Sequence, residues 1–193
     1  MAIAPPPIAR TETPASNALL EWPAAPAPFI VDTFKAVMNR WCSGVTVITG
    51  RDGDRIHGMV ASSFTSVSID PITVLFCANR STRTYGVVRS AGAFAINFLA
   101  EDQLDTFRVF AGQKGDPEDR FAGEALVAAV SGAPVLARSL AWLDCRLVAE
   151  HAGGNTHAIF LGEVLAGGVA ADGERWPLTY YDRRPHRLAG PLG

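Results

Sequence analysis

Residues 45–60 read Val45-Thr46-Val47-Ile48-Thr49-Gly50-Arg51-Asp52-Gly53-Asp54-Arg55-Ile56-His57-Gly58-Met59-Val60. Val45 to Thr49 is a run of β-branched residues, whose stiff side chains fit a pleated strand better than a helix. Arg51-Asp52-Gly53-Asp54 is a hairpin-turn signal, with glycine available for a positive backbone angle. Ile56 to Val60 begins the return strand. Two strands joined by so short a turn are antiparallel, so this segment reads as a β-hairpin.

The same grammar continues outward. Ser62 to Ser68 interleaves hydroxyl and apolar residues and closes at Asp70-Pro71. Ile72 to Ala78 is an apolar strand suited to burial on both faces. Thr82 to Arg89 predicts a short helix behind a serine cap, and Ala93 to Leu99 another strand. Glu101 to Ala111 places Leu104, Phe107, Val109 and Phe110 in a mostly helical period, and Lys114 to Arg120 is a polar loop. Trp142 to Glu150 and Ala158 to Ala166 are strands, and Trp176 to Tyr181 closes the fold. On the N-terminal side, Asp32 is placed to cap a helix carrying Phe34, Val37, Met38 and Trp41, ended by Gly44. Residues 1–28 are rich in Pro and Ala without apolar period and read as a flexible arm; the domain proper spans 29–193. Many short strands with few short helices point to an antiparallel barrel. No GxGxxG follows a strand, so a Rossmann site is unsupported.

Bulk properties narrow the function classes. In 193 residues, 48% are hydrophobic and 19% charged, which describes one globular domain with a sizeable core. A net charge of −2 argues against a nucleic-acid or anionic-membrane partner, so a phosphorylated ligand must be held by local groups. No apolar run approaches the roughly 20 residues of a membrane helix. The start Met1-Ala2-Ile3-Ala4-Pro5 lacks a secretory signal's basic and apolar regions. Cys42, Cys77 and Cys145 are odd in number and contain no CxxC, which fits buried thiols in a cytoplasmic protein.

Nothing in the chain carries hydrolytic or metal chemistry. GxSxG and HExxH are missing, and His57, His151, His157 and His186 are scattered, so no metal site is expected. A protein whose cofactor does the chemistry needs only to bind and orient it. Two polar clusters flank the most apolar strand: Ala61-Ser62-Ser63-Phe64-Thr65-Ser66 and Asn79-Arg80-Ser81-Thr82-Arg83-Thr84. Hydroxyls, backbone N–H groups and an arginine at a helix start can cradle a phosphate; equally, Ser and Thr fill turns and cap helices. His157, at a strand mouth, can contact a ligand or be an ordinary satisfied polar residue. Asn97, inside an apolar strand, needs a partner if buried. Phe110, Phe121 and Tyr181 can wall an aromatic ligand or sit in the core.

The ordered set of segments resembles the flavin reductase-like family, the small reductase components of two-component flavin-dependent monooxygenases. The resemblance runs from Phe34 to Leu188 through Gly44–Thr49, Gly58–Ser68, Asn79–Thr84, Phe94–Leu99, Asp119-Arg120-Phe121 and His157–Val164. It implies a mainly β fold, an antiparallel Greek-key split β-barrel with a few short helices and a flavin site at a homodimer interface. It places the flavin phosphate by Ser62, Ser63, Ser81 and Thr82, with Val60 and Ala61 also among the cofactor-binding residues. Asn79 and the backbone near Ala95 to Asn97 would lie along the ring system, Phe110, Arg120 and Phe121 around the nucleotide site or the partner subunit, and His157 near the nicotinamide side. Two departures stand out: Val60 where the family often has Thr, and Asn155-Thr156-His157 where it often has Gly-Asp-His, which removes an acidic neighbour from the histidine.

The implied activity is NAD(P)H-dependent reduction of FAD or FMN, with reduced flavin passed to a separate monooxygenase. Both flavins share the riboflavin phosphate. The arm and the Lys114 loop favour FAD, as segments able to cover an adenylate. NADH is favoured over NADPH because no compact arginine pair is visible for a 2′-phosphate. The rival readings are a flavin-binding protein without turnover and a split-barrel oxidase acting directly on an organic substrate.

Overall fold

The computed structural model describes residues 28–115, 119–171 and 175–190. The expected arm, apart from Pro28, lies outside the described residues, as does the middle of the Lys114 loop. The elements run α1 (Pro28–Met38), β1 (Ser43–Gly44), β2 (Thr46–Asp52), β3 (Arg55–Ala61), β4 (Thr65–Ile69), β5 (Ile72–Asn79), α2 (Arg83–Ala91) and β6 (Ala93–Phe98). They continue with α3 (Leu104–Phe110), β7 (Leu126–Ala128), β8 (Pro134–Leu136), β9 (Ala141–Ala152), β10 (His157–Val169), β11 (Leu178–Tyr181) and β12 (Arg184–Arg187). The fold is mainly β with short helices. Among the described residues no helix is long and apolar enough to cross a membrane.

A seven-stranded sheet in the order β3-β2-β6-β9-β10-β5-β4 forms the body, and its pairings are antiparallel. The β2–β3 hairpin closes with Asp52 opposite Arg55 and Gly53 at φ +60°, a value glycine reaches without a Cβ penalty. β1, β11 and β12 make a second sheet, and β7 and β8 a separate hairpin. That hairpin is missing from the sequence reading because three-residue strands show almost no period.

Burial on both faces belongs to β2 and β6, not to β5 as the apolar run 72–78 suggested. Every residue from Thr46 to Gly50 and from Phe94 to Asn97 is buried, whereas β5 buries only Val74, Phe76 and Ala78 and leaves the alternate face half-covered. The physical reason is what covers the second face: Val47 of β2 packs with Phe107, Phe110 and Leu136, and Ala95 of β6 with Ala133 and Val135. One face of the sheet packs Ile48, Phe76, Val88, Phe94, Ile96 and Phe160. The Phe76 ring meets Phe94 edge-on at 4.9 Å and Phe160 at 5.3 Å. Gly162 makes this possible, because a Cβ there would lie 2.8 Å from Phe94 Cε1. The other face packs Val47 against Phe107, Phe110, Phe121 and Leu136.

Two helix starts differ from the sequence reading. α1 begins at Pro28, whose fixed φ suits a first helical position, so Asp32 lies inside the helix and not at its cap. α2 is capped by Thr82, whose hydroxyl accepts from Tyr85 N at 3.2 Å, and not by Ser81. The thiols also differ: only Cys145 is buried, Cys77 is half-buried and Cys42 exposed.

Asn97 is fully buried and completely paired. Its Nδ2 donates to Val47 O at 3.0 Å and Thr49 Oγ1 at 3.1 Å, and its Oδ1 accepts from Leu136 N at 2.8 Å. Thr49 Oγ1 donates in turn to Pro134 O at 2.5 Å. One amide thereby ties β6, β2 and β8 together. Asn97→Ala strands the Leu136 N–H without water, and is expected to cost about 1–3 kcal/mol. A urea midpoint equal to wild type would refute this role.

Candidate functional site

The two hydroxyl clusters, far apart in sequence, meet because β5 runs antiparallel to β10 with Asn79 opposite His157. β3 ends beside them. Ser63 Oγ donates to Cys77 O at 3.2 Å and accepts from Cys77 N at 3.0 Å, so one side chain takes the place of a strand partner where β4 has not yet begun. This bond joins the two outer regions of the curled sheet.

Around this junction lies a cavity of about 530 Å³. One wall is Met59, Val60 and Ala61 of β3 with Ser62 and Ser63. The facing side is Cys77, Asn79 and Thr82, with His157 at the exposed rim. The C-terminal end of α3, Phe110 to Gly112, closes the third side together with Arg120. The volume lies within the roughly 300–1,000 Å³ of small-molecule sites.

Each group is held. Asn79 Oδ1 accepts from Ser81 N at 2.9 Å and Ser81 Oγ at 2.8 Å, while Thr82 Oγ1 donates to Asn79 O at 2.8 Å, so the turn into α2 is locked by its own side chains. Arg120 Nη1 reaches Gly58 O at 3.4 Å and Phe110 O at 3.3 Å, bridging β3 and α3. Gly58 lets α3 pack close to β3: a Cβ there would meet Phe110 Cε1 at 2.7 Å. Thr156 Oγ1 shares a 2.8 Å hydrogen bond with His157 Nδ1, and Arg80 N donates to Thr156 O at 2.9 Å. A neutral hydroxyl therefore occupies the place beside the imidazole where a carboxylate was noted as missing.

Of the expected site residues, Val60, Ala61, Ser62, Ser63, Asn79, Thr82, Arg120 and His157 line this one cavity. Three do not. Ser81 is exposed and turned to Asn79. Asn97 spends every polar atom of its side chain inside the core. Phe121 is buried behind Phe110, edge-on at 5.1 Å, and supports the wall without forming it. Met59, Cys77 and the Phe110–Gly112 end of α3 complete the lining, yet only Phe110 had been marked. Cys77 and Asn79 share a strand face at spacing two, and Met59 and Ala61 do likewise, a period the sequence carries.

Residues 38–189 match the family described as "Flavin reductase like domain". The chain belongs to this family. It is 36% identical over 148 residues to the flavin-dependent monooxygenase reductase subunit HsaB of Rhodococcus jostii, covering 77% of this chain and 73% of that protein. It is 34% identical over 168 residues to the FMN reductase (NADH) RutF of Ancylobacter novellus, covering 86% and 91%. Among solved structures, the Streptomyces globisporus NADH:FAD oxidoreductase SgcE6 superposes with a TM-score of 0.76 at 32% identity, covering 86% of this chain and all of that one, 100%.

The thiols provide a check on this reductase-like domain. Burial, reinforced by the Asp144 charge, pushes the Cys145 thiol up to about 12. The thiolate is the reactive form, so at about pH 8 a thiol reagent should label Cys42 first, Cys77 more slowly and Cys145 only after unfolding. Rapid labelling of Cys145 in the folded protein would contradict the packing of β9 against β6.

Proposed function

We propose that the chain is an NAD(P)H:flavin oxidoreductase, the reductase component of a two-component monooxygenase. The observation that carries this reading is the convergence of both hydroxyl clusters and His157 on one cavity in a member of this family. The lining fits a flavin: the Ser62 hydroxyl can donate to a phosphate beside turns that Ser63 and Thr82 hold in shape through their own hydrogen bonds, and Met59, Val60 and Phe110 offer apolar surface to a ring. A bound flavin supplies the hydride-accepting chemistry. The chain's own part is placement. Ser62 and the Thr82 turn hold the phosphate end, Met59 and Phe110 exclude water, and His157, steadied by Thr156, positions the nicotinamide at the rim.

NADH and FAD are the favoured pair, with FMN and NADPH as substrates to compare; named relatives include an FMN reductase and an NADH:FAD oxidoreductase. We place the protein in the cytoplasm as a homodimer of split barrels, serving a separate monooxygenase. Phe34, Val37 and Met38 on α1, Trp41, and Val67 and Ile69 on β4 are each exposed in the single chain, apolar side chains of the kind that partner subunits cover. Sedimentation as a monomer would remove the dimer from this reading.

NADH oxidation is measured with FAD, FMN or riboflavin added in turn. Saturable, flavin-dependent turnover is expected, with Cys77 labelling slowed by the bound flavin. His157→Ala should lower kcat/KM about tenfold, roughly 1.4 kcal/mol of positioning. No oxidation with any flavin and either nicotinamide would overturn the enzyme reading.

A further inference from the structure

Thr156 sits where two turns meet at the rim of the groove. Its backbone O accepts from Arg80 N at 2.9 Å, which ties the β9–β10 turn to the turn leading into α2. One residue on, His157 O accepts from Gly153 N at 2.9 Å, and His157 pairs with Asn79 across β10 and β5. The backbone on both sides of the Thr156 side chain is therefore held. Its Oγ1 lies 2.8 Å from His157 Nδ1, which leaves Nε2 as the ring nitrogen for a ligand in the groove. Both residues are exposed, so this bond adds little to stability. What it governs is the place of a proton. A hydroxyl donates and accepts, whereas a carboxylate only accepts. The Thr156 hydroxyl can donate to the Nδ1 of a neutral imidazole, leaving the ring proton on Nε2, and can accept from the Nδ1–H of an imidazolium.

We infer that Thr156 is a positioning residue: its hydroxyl holds the imidazole by Nδ1 and keeps Nε2 a hydrogen-bond donor to the nicotinamide carboxamide oxygen in both charge states of His157. The assignment rests on the reading of the groove as the flavin and nicotinamide site. A carboxamide oxygen only accepts, so the nitrogen that meets it must carry a proton. An imidazolium carries one on each nitrogen. A neutral ring carries one in all, and the partner of Nδ1 selects where it sits. Beside a hydroxyl donor it sits on Nε2, so the contact persists through the pH range in which histidine titrates. The other titratable or charged groups around the imidazole are Arg80 on the α2 turn, Cys77 and Arg120 in the groove lining, and His151 of β9, opposite Ile159. All four are common to wild type and to any Thr156 variant. A pH dependence that appears on changing Thr156 therefore belongs to the Thr156–His157 pair.

Three substitutions separate the roles of the hydroxyl. Thr156→Ser keeps donor and acceptor, Thr156→Val removes both, and Thr156→Asp offers an acceptor alone. NADH oxidation by the full chain at saturating FMN is followed from about pH 6 to about pH 9, across and beyond the histidine range. FMN is titrated into each variant, and the imidazole nitrogens are followed by NMR without flavin. Wild type and Thr156→Ser should show the Nε2–H tautomer when neutral, and a level kcat/KM for NADH. Thr156→Val should raise the NADH KM about fivefold at every pH with kcat held, because the ring loses its hold. Thr156→Asp should match wild type near the low end and fall about tenfold by the high end. The carboxylate raises the imidazole's pKa, and once the ring is neutral it draws the proton to Nδ1 and turns Nε2 into an acceptor. FMN affinity should stay within about twofold of wild type in all three, since none of the changes touches the phosphate end. A level Thr156→Asp profile overturns the assignment, as does Thr156→Ser as impaired as Thr156→Val, or an Nδ1–H tautomer in neutral wild type. Failure of the flavin reading shows itself separately, as wild-type protein that neither binds FMN nor oxidises NADH with it, and the assignment falls with that reading.

Discussion

The register of β5 against β10 is the constraint on which the rest of the site depends. Seven paired positions, from Thr73 opposite Glu163 to Asn79 opposite His157, fix where each strand ends. Because side chains alternate across a strand, a slip of one residue would turn Phe76 and Phe160 to opposite faces and take one of them out of the core. The register is therefore enforced from inside, by the Phe76, Phe94 and Phe160 rings. Its consequence lies at the rim, where the turn into α2 and the β9–β10 turn become neighbours and Arg80 N finds Thr156 O. A packing requirement in the core thus brings together polar residues from distant parts of the chain.

A second layer of determination is polar and buried. Asn97 and Thr49 bind the β7–β8 hairpin to the sheet, and Asp144, fully buried, accepts from Ser131 N at 2.8 Å and from Ser131 Oγ in the hairpin's turn. Such groups stabilise only when every donor and acceptor is matched. Here they seat a hairpin too short to hold itself. Behind the groove the same face of the core carries Phe110 and Phe121, so the wall that meets a ligand is backed by rigid ring packing.

The candidate site is most legible in the sequence where a residue's neighbours are near in the chain. Ser62 and Ser63 follow a strand, and Asn79 to Thr84 form a local turn, so both clusters were legible as polar ends of apolar runs. Asn97 and Phe121 are of types that fit a ligand site as well as a core, and only partners in space place them: Val47 and Leu136 hold the Asn97 side chain inside the core, and Phe121 packs edge-on against Phe110.

By itself the sequence determined the strand-rich class, the β2–β3 hairpin, both hydroxyl clusters and the family, because these rest on local composition, turn chemistry and ordered motifs. Tertiary structure alone decided which strands are buried on both faces, that β7 and β8 exist as a hairpin, and which predicted residues face the groove. The reason is physical. Burial and hydrogen-bond partnership are properties of neighbours in space, and in an antiparallel sheet those neighbours come from strands dozens of residues away.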